Sequence, residues 1–358
     1  MSEAGRRSPE AWFHEVATHY VEAQILFHLN RAGVFRLLDA EGPLGADAIA
    51  ARLGLEPRVL GALLDYVAGV DELLARDGAG RFGLGEFGRR VLERFGRREA
   101  DGPHFNFFDV RVGAYGPVWE GLGRLLRGAV YGRDVTRAGD AAAEAVYKLV
   151  DRIEPTLARV AGACRATSLV ELGVSTGLLE RLGARDPGLR CYGVDRSAAA
   201  LDRARGRAEA AGFAGLRALP GDVFEPDGWL DAIDAGRGPG LLFSVHFHEF
   251  VAGDGGPARL ARALRRVGER LPGWRVVAFE QPLLPDSARG QIAETLWLYA
   301  QSNVLIHHLI GNGRILPESG WVELLAEAGC EPAPPEPLDY LGYLAFAGAF
   351  KGAAAAGP

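Results

Sequence analysis

Four of the eight histidines in this chain fall into two tight clusters. Imidazole titrates close to neutral pH, so it suits proton transfer and metal ligation better than any other side chain. The first cluster is Val245-His246-Phe247-His248-Glu249-Phe250. It closes an apolar run, residues 240–246, that reads as a buried strand, and open α/β sheets bind ligands beyond the carboxyl ends of their strands. The second is Ile306-His307-His308 in a helical stretch. Positions 303, 306, 307 and 310 share one helix face there, and His308 points about 100° further round.

A different chemistry is written upstream, in SLVELGVSTG, residues 168–177. Leu169, Val170 and Leu172 read as a buried parallel strand. Gly173 and Gly177 follow in a turn around Val174, Ser175 and Thr176, and a helix opens at Leu178. A second short strand ends in Asp195. A glycine turn that admits a close ligand, then an acid about 20 residues on to hold ribose hydroxyls, is the layout of a nucleotide site. The Gly-x-Gly-x-x-Gly fingerprint of dinucleotide sites is absent, because Ser175 replaces the middle glycine, and no P-loop Lys-Ser/Thr pair exists. Glu171, two residues before Gly173, would repel a pyrophosphate and suits a cationic ligand. An adenosine-type cofactor is expected.

The elements that must carry these groups follow from periodicity. From residue 166, strands at 168–173, 190–195, 216–219, 240–246, 274–280 and a C-terminal pair near 339–350 alternate with helices beginning near 178, 197, 257 and 318. Such alternation predicts a doubly wound, mostly parallel sheet. Residues 11–38 read as one helix. A helix over 46–53 capped by Gly54, another opening at Glu56-Pro57, and a hairpin over 73–84 turning at Asp77-Gly78 make a winged helix-turn-helix pattern. Arg58 is the only basic residue noted on its second helix, so a dimerisation module is expected rather than a DNA reader. Residues 100–165 read as helical, with Phe105, Phe107, Phe108, Tyr115, Trp119 and Tyr131 interleaved, mostly as core. The expected division is 1–98, 99–165 and 166–352.

Composition excludes several classes. The chain has 358 residues, 48% hydrophobic, with a net charge of −6, which offers nothing to nucleic acid or an acidic membrane. Three scattered cysteines argue against a disulfide framework. The N-terminus lacks an apolar signal core and no apolar run is long enough for a membrane span. A soluble, cytoplasmic protein is expected.

Acid-x-Gly-x-x-x-Gly followed by a strand-end acid resembles motif I of the class I S-adenosylmethionine-dependent methyltransferases. The later segments GDVFEPD, LLFSVHFHEF and VVAFEQPLL resemble the remaining motifs of the plant-type O-methyltransferase-like group. The resemblance spans roughly residues 15–350. It implies a Rossmann-like α/β catalytic domain with an N-terminal, mainly helical, winged-helix-like domain that forms a homodimer. It also implies S-adenosylmethionine held by Glu171 near the methionine part, by the turn of Gly173, Ser175 and Gly177, by Asp195 at the ribose, and by Asp222 at the adenine amine. Val223 or Phe224 would lie against the adenine ring.

The resemblance extends to the acceptor. O-methyltransferases carry a His-Asp pair, the histidine being the general base, where this chain has His248-Glu249. Their acceptor pocket is lined by the helix that here carries His307. A second imidazole there departs from that pattern. It matches the α-keto acid C-methyltransferases, in which two histidines hold a mononuclear metal. His248 and His307 are then the expected ligands, with iron favoured and zinc, nickel or cobalt compatible. Such a metal would acidify the β-carbon hydrogens of a chelated α-keto acid and stabilise its enolate. His248, His307 and Glu249 are the catalytic candidates, and Glu249 could be a ligand, an orienting partner or surface. Arg127 and His246 are candidates for contact with the substrate, Glu280 could orient a histidine or reach the pocket, and His308 reads as structural. The alternatives are a metal-free O-methyltransferase with His248 as base, and a winged-helix regulator.

Overall fold

The computed structural model describes residues 8–70, 72–97, 104–105, 109–234, 238–253, 255–311, 313–338 and 342–351. The expected aromatics Phe107 and Phe108 lie outside these residues, as does the stretch 339–341 of the expected C-terminal pair. The chain divides into two compact units, Met1–Lys148 and Leu149–Pro358.

In the first unit, α1 (Pro9–Arg31) and α2 (Val34–Glu41) stand where one helix is expected over 11–38. The break has a local cause. Gly33 adopts φ +82°, a left-handed conformation that caps α1 and restarts the chain as α2. Helix α3 (Ala46–Leu53) ends at left-handed Gly54, whose N–H bonds the Ala50 carbonyl. The Glu56 carboxylate accepts from the backbone N–H groups of Arg58 and Val59 and so caps α4 (Pro57–Val70). The hairpin β1 (Leu74–Arg76) and β2 (Phe82–Leu84) turns on Asp77, whose carboxylate binds the N–H groups of Ala79 and Arg81. Helix α5 (Glu86–Phe95) and a short pair, β3 (Gly96–Arg97) with β4 (His104–Phe105), follow. Phe35, Ile49, Leu64 and Phe82 are buried in this unit's own core.

The second unit is built on one sheet. Strands β5 (Ser168–Leu172), β6 (Arg190–Asp195), β7 (Leu216–Pro220), β8 (Gly240–Ser244) and β9 (Arg275–Glu280) pair in parallel in the order β7-β6-β5-β8-β9. β12 (Leu344–Phe350) adds antiparallel to β9, and β10 (Cys330–Pro332) and β11 (Glu336–Pro337) pair with β12. Every residue of β5 and β8 is buried, including Ser168, Glu171 and Ser244, which is why both are mostly apolar on both faces rather than alternating. The order reverses between β5 and β8: the chain leaves β5 towards β6 and β7, then returns to the other side of β5 as β8. That switch point opens a crevice at the carboxyl ends. The predicted doubly wound, mostly parallel sheet is therefore present.

Strand β8 stops at Ser244, two residues short of the expected 240–246. A short helix, Phe247–Phe250, begins immediately, with His246 as its N-cap residue. His246 and His248 are thus not alternate residues of an extended strand. Burial pushes the thiols of Cys191 and Cys330 up to about 12, so neither is a reactive thiolate. Among the described residues no helix is long and apolar enough to cross a membrane.

Candidate functional site

Five consecutive parallel strands deliver a chemical group to one edge of the sheet. Glu171 stands near the end of β5, Asp195 ends β6, Asp222 follows β7, His246 and His248 follow β8, and Glu280 ends β9.

The glycine turn is held from inside. The Glu171 carboxylate is wholly buried and one oxygen accepts from the N–H groups of Ser175 and Thr176, at 3.1 and 3.0 Å. Burial is the main influence on this carboxyl and pushes it up to about 7 from 4.5. The acid expected to face a cationic ligand therefore also shapes the turn. Gly173 has φ +77°, and a Cβ there would come within 3.3 Å of both the His246 ring and Phe250. No other residue fits both the backbone angle and that approach.

The shift at Glu171 has a consequence for stability. A group whose pKa is raised on folding favours the folded state below its unfolded pKa and loses that contribution as pH rises through the folded pKa. The window runs from pH 4.5 to about 7 and is worth about 3 kcal/mol. Glu171→Gln keeps a carbonyl for the two N–H groups and cannot titrate. Its stability relative to wild type is expected to improve by that amount between pH 5 and pH 8, read by urea denaturation. A difference independent of pH would refute the assignment.

The next two strands carry the acids expected at a nucleoside. Asp195 accepts from the N–H of Ser197, the residue whose hydroxyl caps the following helix, at 2.7 Å, and its carbonyl accepts from Gly221 N–H, tying the ends of β6 and β7 together. Asp222 accepts from Phe224 N–H at 2.9 Å and faces Arg196 at 3.6 Å. Val223 is buried in the hydrophobic core, whereas Phe224 is only half-buried, so Phe224 is the better placed to meet a ring. Its ring meets Phe250 edge-on and lies under the Arg259 guanidinium, 3.8 Å from the ring centre. Arg259 had no signal in the sequence, since it is one of several arginines on its helix.

The histidines lie across the switch point from the glycine turn, and two hydrogen bonds join the two sides, with a third linking them on the histidine side. Ser244 donates its hydroxyl to the Leu172 carbonyl at 2.7 Å, and the His246 N–H donates to Ser244 at 3.0 Å. The Ser175 hydroxyl pairs with His246 Nε2 at 2.7 Å. Ser175, the residue in place of a glycine, is thus the link between the turn and the histidines. Burial is the main influence on His246 and holds its imidazole below its ordinary pKa.

His248 is oriented by Glu280. The His248 N–H meets one carboxylate oxygen at 3.0 Å and Nδ1 meets the other at 2.8 Å, with Glu280 only 1% exposed. The orienting partner of His248 is therefore Glu280, not the adjacent Glu249 that the O-methyltransferase reading had paired with it. A carboxylate can only accept, so Nδ1 carries the proton and Nε2 presents its lone pair. The His307 ring packs edge-on to His248, 4.5 Å between centres. It is buried on the helix Glu294–Ile310 together with Ile306 and Ile310, while His308 is exposed. The half-turn that the periodicity assigned to this face is therefore the inward one. Asn303 on the same face donates to buried Gln281 at 3.2 Å, a partner the sequence reading missed although it follows Glu280 directly.

The donor atoms of His246, His248 and Glu249 all lie within 4.8 Å of one another, and His307 does not complete a group of that closeness among the described residues. Two imidazoles and a carboxylate, one imidazole held by a buried carboxylate, are a donor set that fits a divalent metal. Arg127 lies exposed in the first unit, with its guanidinium on the Gly123 carbonyl of its own turn.

No protein-family model and no curated protein matches the sequence. Solved structures do match. An O-methyltransferase family protein from Burkholderia thailandensis has a TM-score of 0.67 at 17% identity, covering 97% of this chain and 99% of that one. Human N-acetylserotonin methyltransferase, solved in complex with SAM, scores 0.62 at 19% identity over 99% and 100% of the two chains. An N,N-8-amino-8-demethyl-D-riboflavin dimethyltransferase from Streptomyces davawensis scores 0.60 at 19% over 96% and 99%. At these identities the likeness establishes the fold. By their names, one of these neighbours belongs to an O-methyltransferase family and another dimethylates an amine nitrogen, so the fold leaves the accepting atom open.

Proposed function

We propose that this chain is an S-adenosylmethionine-dependent methyltransferase whose acceptor is the β-carbon of an α-keto acid. The observation that carries the reading is the tie between the glycine turn and the histidines through Ser175 and His246, at 2.7 Å. It supports a reading in which a methyl-donor turn and a proton-handling cluster stand on the two sides of one switch point. The named neighbours, one of them solved with SAM, favour that donor. The turn, Glu171, Asp195, Asp222 and Phe224 would bind it, and a cation beside Glu171 favours the ionised carboxylate. The accepting atom attacks the sulfonium methyl in line. The S–CH3 bond breaks as the new bond forms, and the sulfur keeps the electron pair as S-adenosylhomocysteine.

For a phenol acceptor, removing the proton falls to His248, whose Nε2 is made basic by the Nδ1–H···Glu280 bond; in the metal-assisted form that nitrogen would hold the ion instead, and the acidified β-hydrogen would leave to water. A divalent metal bound beside His248 would serve as a Lewis acid towards the keto group. His307 is placed to shape the acceptor site through its contact with His248. One observation favours a second reading. The His248–Glu280 dyad is by itself a sufficient base for a phenol, which makes metal-free O-methylation the alternative. A methyl-transfer screen over keto acids and phenols, with the product position read by NMR, decides between them. C-methyl products that vanish on chelation support the first reading, and O-methyl products that survive full metal removal overturn it.

Gly313 offers an independent handle on His307. A Cβ at this position would lie 2.8 Å from His307 Nδ1 and 3.2 Å from the His248 carbonyl. Gly313→Ala should displace the His307 ring and slow turnover by roughly 10²-fold, as misplacement by an ångström does. Thermal unfolding should show the fold intact. Unchanged turnover would remove His307 from the acceptor site.

The expected homodimer through the N-terminal domain belongs to the same proposal. Trp12, Phe13, Val16 and Tyr20 form an exposed apolar face on α1. Sedimentation of Trp12→Glu, with Val16→Glu, should yield monomer if that face pairs two copies.

A further inference from the structure

The resemblance to α-keto acid C-methyltransferases points to His248 and His307 as metal ligands. Among the described residues, the three-donor group that the structure gathers is a different one. We infer that His246, His248 and Glu249 together form a two-histidine, one-carboxylate site for a divalent first-row metal, with His307 outside the ligand set. The inference rests on the metal-assisted form of the proposed function and names its ligands.

Three observations carry it. First, the donor atoms of these three residues already lie within 4.8 Å of one another. Donors at ~2.0–2.2 Å from one ion in a tetrahedral arrangement lie ~3.3–3.6 Å apart, so closure from 4.8 Å needs about an ångström of side-chain movement. Second, both imidazoles are held by the pattern that metal-binding histidines require, one ring nitrogen fixed so that the other is presented. Glu280 takes Nδ1 of His248, presenting Nε2, and Ser175 takes Nε2 of His246, presenting Nδ1. Third, all three ligands come from one short segment, residues 246–249, folded as an N-cap residue and a single helical turn. An extended strand would hold the same residues further apart, so the early end of β8 at Ser244 is what gathers them.

His307 fits a different role. Its ring packs edge-on against His248, and its Nδ1 faces Gly313, where a Cβ would come within 2.8 Å. Two nitrogen donors and one carboxylate suit iron(II), cobalt or zinc and leave the remaining coordination positions to a chelating acceptor. The Ser175 bond would also make the metal site sense the glycine turn, because the serine that orients His246 belongs to that turn.

The test is cobalt(II) binding to the purified full chain after chelation, followed by visible absorption and by calorimetry without substrate. Wild type should bind one equivalent with a d–d spectrum. His246→Ala and Glu249→Gln should each weaken binding by at least tenfold and change the spectrum. Ser175→Ala should weaken it by about 10-fold or more, as removal of an orienting partner does. His307→Ala and His308→Ala should bind as wild type does. Loss of cobalt on His307→Ala, with His246→Ala and Glu249→Gln unaffected, would overturn the ligand set and leave the metal-assisted reading standing. No cobalt binding by wild type would overturn both, while the product screen would still report methyl transfer. Circular dichroism of each variant separates ligand loss from misfolding.

Discussion

Replacing His248 by alanine is expected to lower methyl transfer by about 10²–10⁴-fold, the usual worth of a positioned acid–base group. The loss follows on either acceptor reading, because His248 would be the base for a phenol and a metal ligand for a keto acid. Affinity for S-adenosylmethionine should stay within a few-fold, since the expected donor contacts at Glu171, Asp195 and Asp222 stand on β5, on β6 and after β7, away from His248 after β8. Equilibrium binding and single-turnover rates measured together separate the two effects. Alanine also deprives one oxygen of buried Glu280 of its partner, at a cost of about 1–3 kcal/mol. His248→Gln restores an N–H donor towards Glu280 without a base. It should fold better than the alanine variant and be equally slow. Turnover retained in His248→Gln would end the general-base assignment.

Glu280→Gln should be nearly as damaging while leaving stability close to wild type. The amide carbonyl can keep the His248 backbone N–H, at present 3.0 Å from one carboxylate oxygen. The amide NH2 then faces Nδ1, 2.8 Å from the other oxygen, and forces Nδ1 to accept. The ring proton moves to Nε2, which can no longer remove a proton from the acceptor. A wrong tautomer in the same type of pair costs up to about 10⁴-fold in serine proteases. The effect should fall on kcat with KM for the donor unchanged, and nitrogen NMR of the His248 ring should report the exchange of tautomer. A KM change with kcat intact would mean that Glu280 serves binding rather than proton transfer.

The turn and the acids that follow it were legible because each depends on local chemistry. Glycines, a strand-end Asp195 and the apolar runs of β5 and β8 announce themselves within a dozen residues of chain. The division of labour among the acids was not legible. Glu249 adjoins His248 in sequence, yet Glu280, 32 positions away, holds its ring, because parallel pairing of β8 with β9 brings the end of one strand beside the other. His246 was read along an extended strand that ends too early. A strand's end depends on where its neighbours stop pairing: β8 pairs β9 only as far as Ser244–Ala278. The single N-terminal helix failed at Gly33 for a local reason, a left-handed glycine that helical periodicity around it concealed.

The sequence by itself determined the sheet, the order of its strands and helices along the chain, and the edge at which the polar and titratable groups gather. Those follow from hydrophobic period and turn chemistry, which act over a few residues. Only the tertiary structure decided which carboxylate serves which histidine, and which three donors converge. Such partnerships are set by distances between chain segments that folding alone brings together. Ser175 shows both halves of that division. In sequence it is a missing glycine, and in the fold its hydroxyl is the bridge to His246.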